Sequence, residues 1–138
     1  QMLEHEFDKL GVEYKTFREP GGTELSEKIR TILLDKKNIE LISTAECLLF
    51  AAARAQLTAE KIKPAIATGK FVICDRFTDS TIAYQGYGRG LDIKQLEKIN
   101  YIIIKRDFLL TYFFNNKLNH IFCKIHHVIN VTIGFIKF

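Results

Sequence analysis

The run FVIC, Phe71–Cys74, most limits what this chain can fold into. It is continuously apolar, with Gly69 before it and the pair Asp75-Arg76 after it. Four apolar residues without alternation suit a central strand covered on both faces, and such strands belong to parallel sheets flanked by helices. A second strand is predicted at VEYKTF (Val12–Phe17), which alternates in polarity and runs into the tight loop REPGGT. Helical periods fill the intervals. Leu3, Phe7 and Leu10 share a face of the first helix, and Gly11 caps its end. Thr23 caps the next helix, whose predicted core face is Leu25, Ile29, Ile32 and Leu33. Ser43 and Glu46 have capping-box spacing for a long helix reaching Thr68, divided at Pro64 and ended at Gly69. Asp92 caps a last helix, IKQLEKINYIII. The order α-β-α-α-β-α predicts an α/β fold around a parallel sheet.

Charge excludes some functions and divides the chain. The formal net charge of the 138 residues is +4, yet residues 1–100 hold fifteen Lys/Arg and fifteen Asp/Glu. The whole excess sits in residues 101–138, with five bases and the single acid Asp107. A neutral main body argues against nucleic acid as a partner. Ile, Phe, Tyr, Asn and Lys make up 24 of the last 38 residues against 30 of the first 100, so a boundary is placed near residue 101. The tail reads as a frameshifted or read-through product, or as a lineage-specific element. Cys47, Cys74 and Cys123 show no CxxC or His-paired spacing, which points to a reducing, cytoplasmic setting. His5, His120, His126 and His127 form no ligand or triad pattern and read as surface or tail residues. No run approaches the roughly 18–20 apolar residues of a membrane span, so no membrane role is expected.

In open α/β sheets, ligands bind beyond the carboxyl ends of the strands. Here both ends deliver an arginine beside an acid, Arg18-Glu19 and Asp75-Arg76. Two readings are open: a pair of local surface ion pairs, or two guanidiniums converging on a phosphate in bidentate forks. Their coincidence at two strand ends favours the second. Phe50 and Arg54 are four apart on one helix, among Ala51, Ala52, Ala53 and Ala55. That arrangement suits a planar base stacked on the ring with its edge on the guanidinium, or else a core Phe with a snorkelling Arg. Asp75, ending an apolar strand, suits a carboxylate serving Mg²⁺ of a nucleotide site. Gly86, Gly88 and Gly90 do not form G-x-G-x-x-G; they are expected to let a polar loop bend around Arg89.

FREPGGTELSEKIR, AECLLFAAARAQL and IKPAIATGKFVICDRFTDSTIAYQGYGRGLD together resemble the bacterial thymidylate kinase family over about residues 1–100. The resemblance implies a P-loop NTPase-like, three-layer fold with a parallel sheet, here truncated. It implies transfer of the γ-phosphoryl of ATP to dTMP with Mg²⁺, and possible homodimers. By the same resemblance Arg18 and Arg76 hold the dTMP phosphate, and Phe50 stacks on thymine. Arg54 bonds the base's carbonyl edge, Thr81 lies at its N3 edge, Gln85 faces the nucleotide, and Asp75 lies near the magnesium. Asp75 and Arg76 are the expected catalytic residues. The Glu19-Pro20 bond is expected to be cis. No G-x-x-x-x-G-K-[ST] occurs in the chain. The phosphate-cradling loop is therefore expected upstream of Gln1, leaving the dTMP side largely present, the ATP side largely missing, and the chain inactive alone. The alternatives are a non-catalytic nucleotide-binding or interaction protein and a related nucleoside-monophosphate kinase.

Overall fold

Two strands, β1 (Tyr14–Arg18) and β2 (Phe71–Asp75), pair in parallel from Tyr14↔Phe71 to Arg18↔Asp75. The ladder runs one bond further, from the Glu19 amide to the Asp75 carbonyl at 3.0 Å. Both strands thus release their chains at the same end, where the candidate site lies. The computed structural model describes residues 2–104. The readings made for Cys123, His120, His126, His127 and the tail beyond Ile104 lie outside the described residues.

Helix α1 (Met2–Lys9) lays Phe7 on this sheet, edge-on to Tyr14 and to Phe71 at centroid distances of 5.6 and 5.1 Å. Helices α2 (Glu24–Leu34) and α3 (Ser43–Leu57) pack on each other. A π-helical segment, Thr58–Ile62, carries α3 into α4 (Lys63–Ala67), with Pro64 in the first turn of α4, as the division at that proline predicted. Gly11 and Gly69 follow α1 and α4 with φ of 64° and 79°, the left-handed turn expected of them. A short helix α5 (Thr78–Thr81) widens into a second π-helical segment, Ile82–Gly88. Helix α6 (Ile93–Ile104) closes the described unit, with the Gln95 amide donating to Asp92 Oδ1 at 3.0 Å, the cap anticipated at Asp92.

Several expectations are corrected. The buried face of α2 centres on Ser26, while Leu25 and Ile32 are exposed. Thr23 Oγ1 accepts from the Ser26 amide, as predicted, and also donates to Ser26 Oγ. Ser26 Oγ donates in turn to the Ala53 carbonyl at 2.9 Å, so a hydroxyl, not a branched side chain, lets α2 approach α3. The capping box does not form: Ile42 is the N-cap of α3, with no side-chain cap, and Glu46 is used elsewhere. Strand β2 is half-buried rather than covered on both faces, and β1 is its one partner among the described residues. The stretch read as a polar loop after β2 is largely helical. Gly86 serves contact there, since a Cβ would lie 3.3 Å from Ile93 and Leu96 of α6.

Gly22 is needed twice. Its φ is 85°, and a Cβ would stand 2.8 Å from Leu57 Cδ1. Leu57 is fully buried, so the methyl has no room to retreat.

Candidate functional site

The strand ends, α3 and the helix after β2 enclose one small cleft. Phe50 and Arg54 line it from α3, Glu19 from the loop after β1, and Arg76 from the end of β2. Ser80, Thr81 and Gln85 complete it from the segment after β2. Five of the residues singled out in the sequence, Phe50, Arg54, Arg76, Thr81 and Gln85, are therefore brought together.

Arg18 and Asp75 are not among the lining residues. Arg18 Nη2 donates to Glu27 at 3.2 Å, and Glu27 Oε1 also accepts from the Gly22 amide at 2.9 Å, which ties the loop to α2. Arg54 and Arg76 line the cleft together, whereas Arg18 lies outside its lining and faces Glu27. The alternative reading, two local ion pairs, does not form: Glu19 turns inward to Arg54, and Arg76 stacks its guanidinium over the Tyr84 ring at 4.5 Å. Asp75 is exposed at the end of β2.

Arg54 is held from three directions. Its Nε donates to Glu19 Oε2 and its Nη1 to Asn100 Oδ1, both at 2.8 Å; its Nη2 donates to the Phe77 carbonyl at 3.2 Å. The side chain is 2 % exposed and Glu19's is 4 %, so this pair lies in the interior, where an unpartnered charge is costly. Burial pushes the Glu19 carboxyl up to about 7, against the opposing pull of Arg54 and then Arg76. Glu19 and Asn100 were missed as site residues. Asn100 carries a signal in the sequence: it interrupts the buried stripe Leu96, Asn100, Ile104 on one face of α6, and a polar residue there needs a partner.

Two side-chain oxygens in the cleft's wall, Glu19 Oε1 and Thr81 Oγ1, are buried without a hydrogen-bond partner. Native proteins rarely leave such atoms unpaired, and a ligand is one way to satisfy them. Arg76 has φ 67°, a left-handed conformation that costs a non-glycine residue about 1–2 kcal/mol. Backbone strain of this kind clusters at functional sites. The Glu19-Pro20 bond is cis, as expected. Burial raises the Cys74 thiol to about 12 and raises Cys47 as well, so neither is an activated nucleophile. Among the described residues no group of three or more His, Cys, Asp or Glu could hold a metal, and no helix is long and apolar enough to cross a membrane.

The fold is part of the P-loop nucleoside-monophosphate kinase fold. A crystal structure of thymidylate kinase from Ehrlichia chaffeensis superposes with a TM-score of 0.68 at 43% identity, covering 75% of this chain and 58% of that one. The sequence model of the family described as thymidylate kinase matches residues 1–120, and the chain belongs to that family. It is 53% identical over 100 residues to the thymidylate kinase of Pelotomaculum thermopropionicum, covering 72% of this chain and 46% of the relative. It is 48% identical over 107 residues to that of Oceanobacillus iheyensis, covering 75% and 48%. The chain thus spans about half the length of these two relatives.

Proposed function

We propose that the described residues form the acceptor side of a thymidylate kinase and bind dTMP in the cleft between α3 and the segment after β2. The observation that carries this reading is the gathering of Phe50, Arg54, Arg76, Thr81 and Gln85 around one opening, with two buried unpartnered oxygens in its wall. Phe50 supplies a ring for stacking, and Arg54 has N–H groups left for a carbonyl. Arg76 supplies the charge for the phosphate; Arg18 joins it by leaving Glu27.

In the whole protein the reaction is ATP-dependent phosphorylation of dTMP to dTDP. Binding aligns the acceptor phosphate in line for attack, and arginine charge offsets the charge that develops. The dTMP phosphate is already an anion, so no general base of shifted pKa is required. Asp75, exposed at the end of β2, would offer Mg²⁺ a carboxylate beside ligands from phosphate and water. The metal, when bound, neutralises charge on the transferred group. With no G-x-x-x-x-G-K-[ST] in the sequence, the 138 residues alone are proposed to bind dTMP without turnover.

Calorimetric titration of the chain with dTMP, beside a coupled ATP/dTMP assay, tests both parts. Saturable dTMP binding without turnover is expected. No dTMP binding overturns the acceptor reading, and turnover on the order of 1–100 s⁻¹ overturns the claim of inactivity. A homodimer is proposed on the exposed apolar residues Leu25, Ile32 and Leu48 of α2 and α3, and sedimentation measures it directly. A cytoplasmic setting without nucleic-acid partners completes the reading.

A further inference from the structure

We propose that Glu46 is a positioning residue that sets the cleft's base selectivity, by fixing which end of the Gln85 carboxamide faces the ligand. The inference rests on the acceptor reading above.

Glu46 lies in the first turn of α3 with a mostly buried side chain. Its Oε1 accepts from Gln85 Nε2 at 2.8 Å, and its Oε2 accepts from Arg89 Nη2 at 3.0 Å. One carboxylate thus binds α3 both to Gln85 of the opposite wall and to Arg89, which lies outside the cleft lining. A carboxylate accepts hydrogen bonds and cannot donate them, whereas a carboxamide has a donor end and an acceptor end. Turning Gln85 over would set oxygen against oxygen. One N–H of that nitrogen is therefore committed to Glu46, which holds the nitrogen towards α3 and leaves the oxygen as the acceptor end for the cleft that Gln85 lines.

The facing wall has the opposite polarity. Three of Arg54's five N–H groups are engaged by Glu19, Asn100 and the Phe77 carbonyl, and every remaining one is a donor. A donor from Arg54 beside an acceptor from Gln85 matches a carbonyl next to a ring N–H, the imide edge of thymine or uracil. A cytosine edge, amino group beside bare ring nitrogen, meets donor with donor and acceptor with acceptor. Such a mismatch leaves buried polar groups unpaired, the arrangement that discriminates most strongly.

Titration of the full chain with dTMP and dCMP, for wild type and Glu46→Gln, tests this. Glutamine at 46 offers a donor and an acceptor, so Gln85 is free to turn. The dTMP-to-dCMP affinity ratio is expected to fall about tenfold or more. Arg89→Ala, which leaves the Glu46–Gln85 bond in place, is expected to keep the ratio. A general structural defect weakens both ligands alike; an unchanged ratio in Glu46→Gln overturns the role of Glu46 while leaving dTMP binding by the wild type intact. A wild type that binds no dTMP overturns both readings. If Glu46→Gln does not fold, NMR of the wild-type Gln85 side-chain NH₂ decides. One proton slow to exchange with and without dTMP is expected, and loss of that protection on adding dTMP overturns the proposal.

Discussion

Arg54 Nε lies 2.8 Å from Glu19 Oε2, and both side chains are almost wholly buried. Burial raises the Glu19 carboxyl from an ordinary 4.5 to about 7, although Arg54 opposes the shift. Between those values the folded chain holds more protons than the unfolded one, so this group's contribution is full at low pH and declines as pH rises through about 7. Glu19→Gln mimics the neutral acid and removes that slope. Urea midpoints between about pH 5 and 8 are expected to move in the variant's favour, relative to wild type, as pH rises. Movement in the wild type's favour shows that the pairing outweighs burial.

Removing the other partner is expected to be severe. Arg54→Ala strands the Glu19 carboxyl and Asn100 Oδ1 in the interior, a cost of about 3–5 kcal/mol. Arg54→Lys recovers only part of it, because one ammonium does not span Glu19, Asn100 and the Phe77 carbonyl. Denaturant unfolding of the two variants gives both numbers, and a loss below about 1 kcal/mol for Arg54→Ala excludes a structural role for the pair.

Gly22→Ala is expected to cost about 1–3 kcal/mol, from strain at φ 85° and from collision with Leu57. The second share disappears when Leu57 is shortened. In a cycle with Leu57→Ala, the two losses are expected to be less than additive by more than about 0.5 kcal/mol. Additive losses rule out the collision.

Arg76 separates stability from binding. Arg76→Gly suits φ 67° and loses the stacking on Tyr84 and the weak pull on Glu19, so stability is expected to stay within about 1 kcal/mol of wild type. Arg76→Val, β-branched at the same φ, is expected to lose about 1–2 kcal/mol. Both are expected to weaken dTMP binding; undiminished affinity in Arg76→Gly removes Arg76 from the phosphate site.

The elements were legible where local chemistry decides them: the apolar run of β2, the caps at Thr23 and Asp92, the glycines after α1 and α4. The cleft was half legible. Phe50 and Arg54 share a face by helical spacing alone, and the residues after β2 follow from where parallel strands end. Side-chain pairing was not legible. Neighbouring Arg18 and Glu19 left a local ion pair open as one reading, yet extended backbone turns successive side chains to opposite sides, sending one out to Glu27 and the other in to Arg54. Ser43 and Glu46 kept capping-box spacing, but Glu46 found partners 39 and 43 residues away, which no local pattern encodes. Leu25 and Ile32 looked like core because periodicity marks a face without saying what it meets.

The Glu19 amide donates to the Asp75 carbonyl, so the two corners from which the cleft grows are joined by main chain alone. Side-chain substitution at either position leaves that joint intact. Chemistry at the strand ends is free to drift while the frame holding it stays fixed. Only a change that deletes the amide itself, a proline or a backbone ester at position 19, reaches the joint.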